Sequence, residues 1–175
     1  MMCHRPAAAK EGQRGFTLVE LLVVIAITGL IGSVVAGAVI QVFSVSSRNT
    51  SRMTIVKQLE NAVRWLTPDA QMADNVTGNL AGAGLSLTWK EWGGTTDNGT
   101  TNNVTYKMIA NGQLERSYYR NGLLQSTKVV ARNIDPARTS SSFANGTIAF
   151  TVTSAIGGYK PESITRSFNV TLRSI

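Results

Sequence analysis

From Leu21 to Ile40 the chain carries no charged residue. That run is about as long as one helix needs to cross a bilayer. It constrains the fold more than any other feature, because an all-round apolar helix has to lie in lipid or among other apolar helices. Directly before it stands Gly15-Phe16-Thr17-Leu18-Val19-Glu20, and before that a leader with the cations Arg5, Lys10 and Arg14. The carboxylate of Glu20 sits at the mouth of the apolar run. An unpaired charge there is costly and is kept for a function.

Gly15-Phe16-Thr17-Leu18-Val19-Glu20 with the apolar run behind it resembles the cleavage and methylation motif of type IV prepilins and type II secretion pseudopilins. The resemblance spans Gly15 to about Ile40. It implies that prepilin peptidase cuts after Gly15, that Phe16 becomes the N-methylated first residue, and that Glu20 is the assembly residue. The leader 1–15 is then lost, and the apolar region stays in the mature chain. An ordinary secretory signal has the opposite order. One departure stands out: many major pilins carry a proline near the end of the apolar segment, where this chain has Gly37. A rival reading uses Ala36-Gly37-Ala38, a small-residue site of the kind signal peptidase cuts. Cut after Ala38, the product would be a soluble secreted domain, and Glu20 would have no role.

Glu20 itself has two readings. As a first-turn acid it complements the helix dipole, worth a few tenths to about 1 kcal/mol. The resemblance implies the other, an ion pair between the Phe16 amine of one subunit and Glu20 of a neighbour. In a low-dielectric core such charges are tolerable only when paired, so the pair would reward one axial stagger. Gly29, Ser33 and Gly37 fall at four-residue steps, a spacing that lets two membrane helices approach closely. Glycine is also common in membrane helices in general.

The only cysteine, Cys3, and the only histidine, His4, lie in the leader. Cleavage after Gly15 leaves a chain without disulfide, thiolate nucleophile, Cys/His metal site or Ser-His-Asp triad. The carboxylates Asp69, Asp74, Glu91, Asp97, Glu115, Asp135 and Glu162 form no motif, and no phosphate-cradling glycine loop occurs. The expectation is therefore a non-enzyme without cofactor or metal. Formal net charge is +7; losing Arg5, Lys10, Arg14 and Glu11 removes +2 and leaves +5. No block of five basic residues marks a nucleic-acid site, so DNA contact by scattered basic and aromatic residues stands as an alternative function only. The leader cations are those that orient insertion.

The order of parts predicts an α+β, pilin-like fold. A long N-terminal helix, its first half membrane-spanning, would pack on an antiparallel β-meander. The expected division is leader 1–15, transmembrane and assembly helix 16–40, amphipathic helix 41–75 and β-sheet head 76–175. The stripe Met53, Val56, Leu59, Val63, Leu66, Ala70 and Ala73 recurs at three- and four-residue steps and should face the sheet. Thr67-Pro68-Asp69 suggests a kink or restart, and Asn75 and Gly78 an end. Alternation over Leu85–Trp89, Val104–Met108, Leu114–Tyr118, Ile148–Val152 and Ile164–Leu172, with a strand over Leu123–Val130, predicts five or six strands. Asn111-Gly112 and Asn121-Gly122 mark hairpins, as does Gly157-Gly158. Gly93–Asn103 and Arg138–Ser142 read as loops, and Trp92 as an exposed contact residue.

Two further segments resemble the J-type minor pseudopilins and W-type minor pilins. They are Gln58–Leu66 with Asp69-Ala70-Gln71, and Val104–Lys107 with Asn111–Arg116. The resemblance implies a minor filament subunit in the inner membrane, single-pass with its head outside the cytoplasm. Its partners would be prepilin peptidase, other pilin or pseudopilin subunits and the inner-membrane assembly platform.

Overall fold

The computed structural model describes residues 15–92, 99–157 and 161–173. The element order is one helix α1 (Leu18–Met72), then β1 (Asn75–Asn79), β2 (Gly84–Glu91), β3 (Thr100–Ile109), β4 (Gln113–Arg120), β5 (Leu123–Ala131), a 3-10 turn (Pro136–Arg138), β6 (Ser140–Ala144), β7 (Thr147–Ile156) and β8 (Glu162–Thr171). The chain divides into two units, Met1–Val45 and Ser46–Ile175.

In the first unit the described part of α1 is exposed throughout. The helix is long and apolar enough to cross a membrane, and none of its most apolar 18-residue window is buried. In the second unit the strands form two antiparallel sheets, β1-β2-β3-β4-β5 and β6-β7-β8. One core joins them to the helix. Ile55, Leu59, Ala62, Leu66, Ala70 and Ala73 meet Leu85, Leu87, Trp89, Val104, Tyr106 and Leu114 of the first sheet, and Ile148, Phe150, Val152 and Val170 of the second. Alternate residues of β2, β3 and the first half of β7 face this core, as a half-buried sheet requires.

The helix buries a face rotated from the expected stripe. Ile55 and Ala62 are inside, whereas Met53 and Val56 are exposed and Val63 is half-buried. Both sets satisfy three- and four-residue steps. The buried set takes in Ala62, Ala70 and Ala73, whose small side chains let the helix lie close to the sheets. Pro68 interrupts nothing: α1 continues through it to Met72. Pro68 forfeits one backbone bond near the helix end, and the buried neighbours Asp69 and Ala70 hold that turn.

The helix then gives way to a strand, not a loop. Asp74 donates its backbone N–H to Thr88 O at 2.9 Å, and its Oδ2 accepts from Lys90 N at 3.0 Å. Asn75 and Gly78, expected as stop signals, lie inside β1. Thr100–Asn103, expected in a loop, opens β3, with Asn102 fully buried; Gly93–Asn98 of that loop lie outside the described residues. Arg138–Ser142, also expected as a loop, is the end of the 3-10 turn and the start of β6. Asp135 caps that turn, accepting from Ala137 N at 3.0 Å. Its ion pair with Arg138 holds the Asp135 carboxyl below its usual range. Gly158 of the expected last turn is outside the described residues, although the β7–β8 hairpin around it is present.

Asn111-Gly112, Asn121-Gly122 and Asn145-Gly146 close hairpins with positive φ at both residues. Asn121-Gly122 and Asn145-Gly146 make two-residue loops, the geometry Asn-Gly favours. Asn111-Gly112 closes a longer loop, Ala110–Gly112, since Ile109 pairs with Gln113. Gly112 and Gly122, the Asn-Gly turn glycines of β3–β4 and β4–β5, differ in surroundings. A Cβ on Gly122 would meet nothing within 4 Å, while one on Gly112 would lie 2.6 Å from the Ile134 carbonyl oxygen. Gly122→Ala is expected to cost about 1–2 kcal/mol, the left-handed conformation alone. Gly112→Ala should cost more, because the obstacle is backbone. Urea midpoints of the two variants check the order.

Candidate functional site

Gly15 and Phe16 are exposed and lie ahead of the helix. Thr17 Oγ1 accepts from Glu20 N at 3.3 Å, which makes Thr17 the N-cap. Thr17 and Glu20 have capping-box spacing, and the threonine half of that box is made. Glu20 is therefore a first-turn acid on an exposed helix end. A cut after Gly15 would put a positive amine just ahead of that helix N-terminus. The dipole opposes a cation there, so a carboxylate must compensate it.

Further along, Gly29 and Gly37 have nothing within 4 Å of a Cβ position. Ser33 Oγ donates to Leu30 O at 2.8 Å, and Thr28 Oγ1 to Val24 O at 2.7 Å. These hydroxyls are satisfied within the helix, as a lipid or apolar setting demands. The Gly29, Ser33 and Gly37 face is bare, with room for a second helix.

In the second unit the polar centre is a cluster that sequence reasoning missed. Asp69 lies on the buried face of α1. Tyr106 on β3 and Arg116 on β4 are cross-strand partners, and both reach it. Arg116 Nε donates to Asp69 Oδ2 at 2.6 Å and Nη2 to Oδ1 at 2.9 Å, a bidentate pair. The Tyr106 hydroxyl donates to Asp69 Oδ2. Around them Arg116 lies 5.1 Å from the Trp65 ring and 5.7 Å from Tyr118. Tyr118 stacks on Trp89 and donates to Asn102 Oδ1 at 2.7 Å. Both Asp69 oxygens, the Tyr106 hydroxyl and two Arg116 nitrogens are bonded within the triad, which ties α1 to β3 and β4.

Burial, and then the Asp69 charge, push the Tyr106 phenol well above its ordinary value, while the hydrogen bond to Asp69 raises Arg116. An unfolded tyrosine ionises near 10.0; in the folded chain Tyr106 stays protonated beyond that. Its stabilising contribution is thus complete below about pH 10 and is lost as pH rises further. Thermal midpoints should fall from about pH 10 upward, and Tyr106→Phe should flatten that fall. An equally steep fall in the variant would show that Tyr106 is not its source.

Among the described residues no three His, Cys, Asp or Glu side chains lie together as a metal would need. Trp92 is exposed, at 72 %, with Lys90 Nζ 5.8 Å from the ring.

Residues 11–39 match the model of the prokaryotic N-terminal methylation motif. The matched span contains Gly15, Phe16, Glu20, Gly29, Ser33 and Gly37. It supports the type IV pilin and pseudopilin resemblance at the segment that carries it. No curated protein and no solved structure matches the chain.

Proposed function

We propose that this chain is a non-catalytic minor pilin or pseudopilin subunit of a type IV pilus or type II secretion pseudopilus. The observation that carries this reading is the methylation motif matched over residues 11–39, whose part from Leu18 onward lies on an exposed, membrane-length apolar helix. Prepilin peptidase cuts between Gly15 and Phe16, and Phe16 is N-methylated. The helix 16–40 holds the protein in the inner membrane as a single pass, with its head outside the cytoplasm. The assembly platform then passes it into a filament with other pilin or pseudopilin subunits.

In that filament Glu20 pairs with the Phe16 amine of a neighbour, and Gly29, Ser33 and Gly37 face an adjoining helix. Segment 41–75, helical as far as Met72, and the β-region that follows make the head. The likeness of Gln58–Leu66 with Asp69-Ala70-Gln71, and of Val104–Lys107 with Asn111–Arg116, to J-type and W-type minor subunits supports a minor role. Exposed Trp92 with Lys90 beside it favours a second reading, a DNA-uptake or adhesion pilin. The test is whether the full-length chain co-purifies with filaments sheared from its own cells. Its absence from every such preparation would refute the subunit assignment.

A further inference from the structure

β5 is an end strand: among the described residues it pairs with β4 and with no other strand. Over its first seven residues it is also uncovered on both faces. Leu123 is 70 % exposed, Leu124 56 % and Val129 38 %. Successive residues of a strand point to opposite faces, so Leu123 and Leu124 leave both sides of the strand apolar and open. At the other end of the same sheet, β1 has no comparable exposed apolar side chains.

The charge along this edge is predominantly positive, although Glu115 of β4 pairs with Val129. Between Glu115 and Asp135 the chain has Arg116, Arg120, Lys128 and Arg132 and no carboxylate. Arg116 is committed to Asp69. Arg120, Lys128 and Arg132 are exposed. The adjoining helix residues Lys57 and Arg64 add two cations, with the exposed Glu60 between them in the sequence. Gln58 Oε1 accepts from Arg132 N at 2.7 Å, and Lys128 Nζ lies 5.8 Å from the Trp65 ring. Lys57 and Arg64, both exposed, are the sequence neighbours of Gln58 and Trp65.

An edge lysine and the register shifts along β4–β5 are devices by which a free edge refuses a second strand. Here the refusal is selective. A second copy pairing β5 to β5 would bring two edges of the same predominant charge together. A strand of opposite charge meets no such repulsion, and its apolar side chains would cover Leu123, Leu124 and Val129.

The geometry points to the free edge of β5 as a docking site for an extended segment of a different protein, one alternating acidic and apolar residues, which adds as a sixth strand. Main-chain hydrogen bonds would hold it, and the cations would select it. This does not rest on the filament reading.

The test uses the full chain in an uncharged detergent and a labelled peptide of about eight residues alternating valine and glutamate. The peptide is expected to bind saturably and to slow amide exchange over Leu123–Val129. The Lys128→Glu/Arg132→Glu variant should weaken binding by about tenfold or more, with an unchanged thermal midpoint because both side chains are exposed. A valine–lysine peptide should not bind. The proposal is overturned if the acidic peptide fails to bind, if the charge-reversed variant binds it equally, or if binding leaves β5 exchange unchanged. Protection of β5 in the chain alone at high concentration would identify a second copy as the occupant and overturn it too. So would preferential binding of duplex DNA.

Discussion

Asp69→Ala is expected to destabilise the unit Ser46–Ile175 by about 3–5 kcal/mol, since it leaves the Arg116 guanidinium buried without its partner. The side chains of Arg116 and Asp69 are only 12 % and 5 % exposed. Tyr106 would lose its acceptor at the same time. In a domain of this size the loss corresponds to a fall in thermal midpoint on the order of 10 °C or more. Arg116→Met placed on the Asp69→Ala background should recover part of that loss, because an apolar pair of similar shape leaves no orphaned charge. Arg48→Ala provides the contrast. Arg48 also meets a carboxylate on a distant strand, Glu162 Oε1, at 3.1 Å, but its side chain is 55 % exposed. Loss of that pair is expected to cost at most about 1 kcal/mol. Equal losses in the two variants would show that Asp69–Arg116 behaves as a surface pair.

Glu20→Ala is expected to leave membrane insertion intact or slightly improved, since a carboxylate leaves the edge of the apolar run. Incorporation into filaments should fall by at least about tenfold. The free-energy argument is the same as for Asp69, with the charges exchanged: the Phe16 amine of a neighbour would be buried with no anion to meet it. Glu20→Gln should fall nearly as far, because an amide accepts a hydrogen bond but does not neutralise the amine. If Glu20 served only to complement the helix dipole, the cost would be at most about 1 kcal/mol and Glu20→Gln would assemble well. Blotting of sheared filaments against the membrane fraction separates the two. Wild-type incorporation of both variants would refute the inter-subunit pair.

The parts of the fold written in local chemistry were legible before any coordinates. The apolar run fixed one long helix. The Asn-Gly pairs fixed hairpins, and alternation placed Leu85, Leu87, Trp89, Val104, Tyr106, Ile148, Phe150 and Val152 on inner faces, where they are buried. Asn145-Gly146 carries the same turn signal and closes the β6–β7 hairpin. β1 and β6 were not legible. Asn75–Asn79 and Ser140–Ala144 have no apolar alternation, and what makes them strands is backbone pairing to β2 and β7.

The phase of the helix stripe was ambiguous because Ile55 and Val56, like Ala62 and Val63, are apolar neighbours on adjoining faces. Asp69 was misplaced for a related reason. As a lone carboxylate after Pro68 it reads as a first-turn acid, and only the longer Ala110–Gly112 loop puts Arg116 opposite Tyr106. A two-residue loop would have put Ser117 there. The N-terminal site was legible as a motif, whereas its capping by Thr17 needed coordinates.

The mature N-terminus tests the central claim most directly. The full-length chain is expressed in its own cells, recovered from membrane and filament fractions, and its first residue read by intact mass and N-terminal sequencing. The account predicts a start at Phe16, heavier by one methyl group, with the apolar helix retained. A start at Val39, after Ala36-Gly37-Ala38, would contradict it: the helix would be a discarded signal and the product a secreted domain.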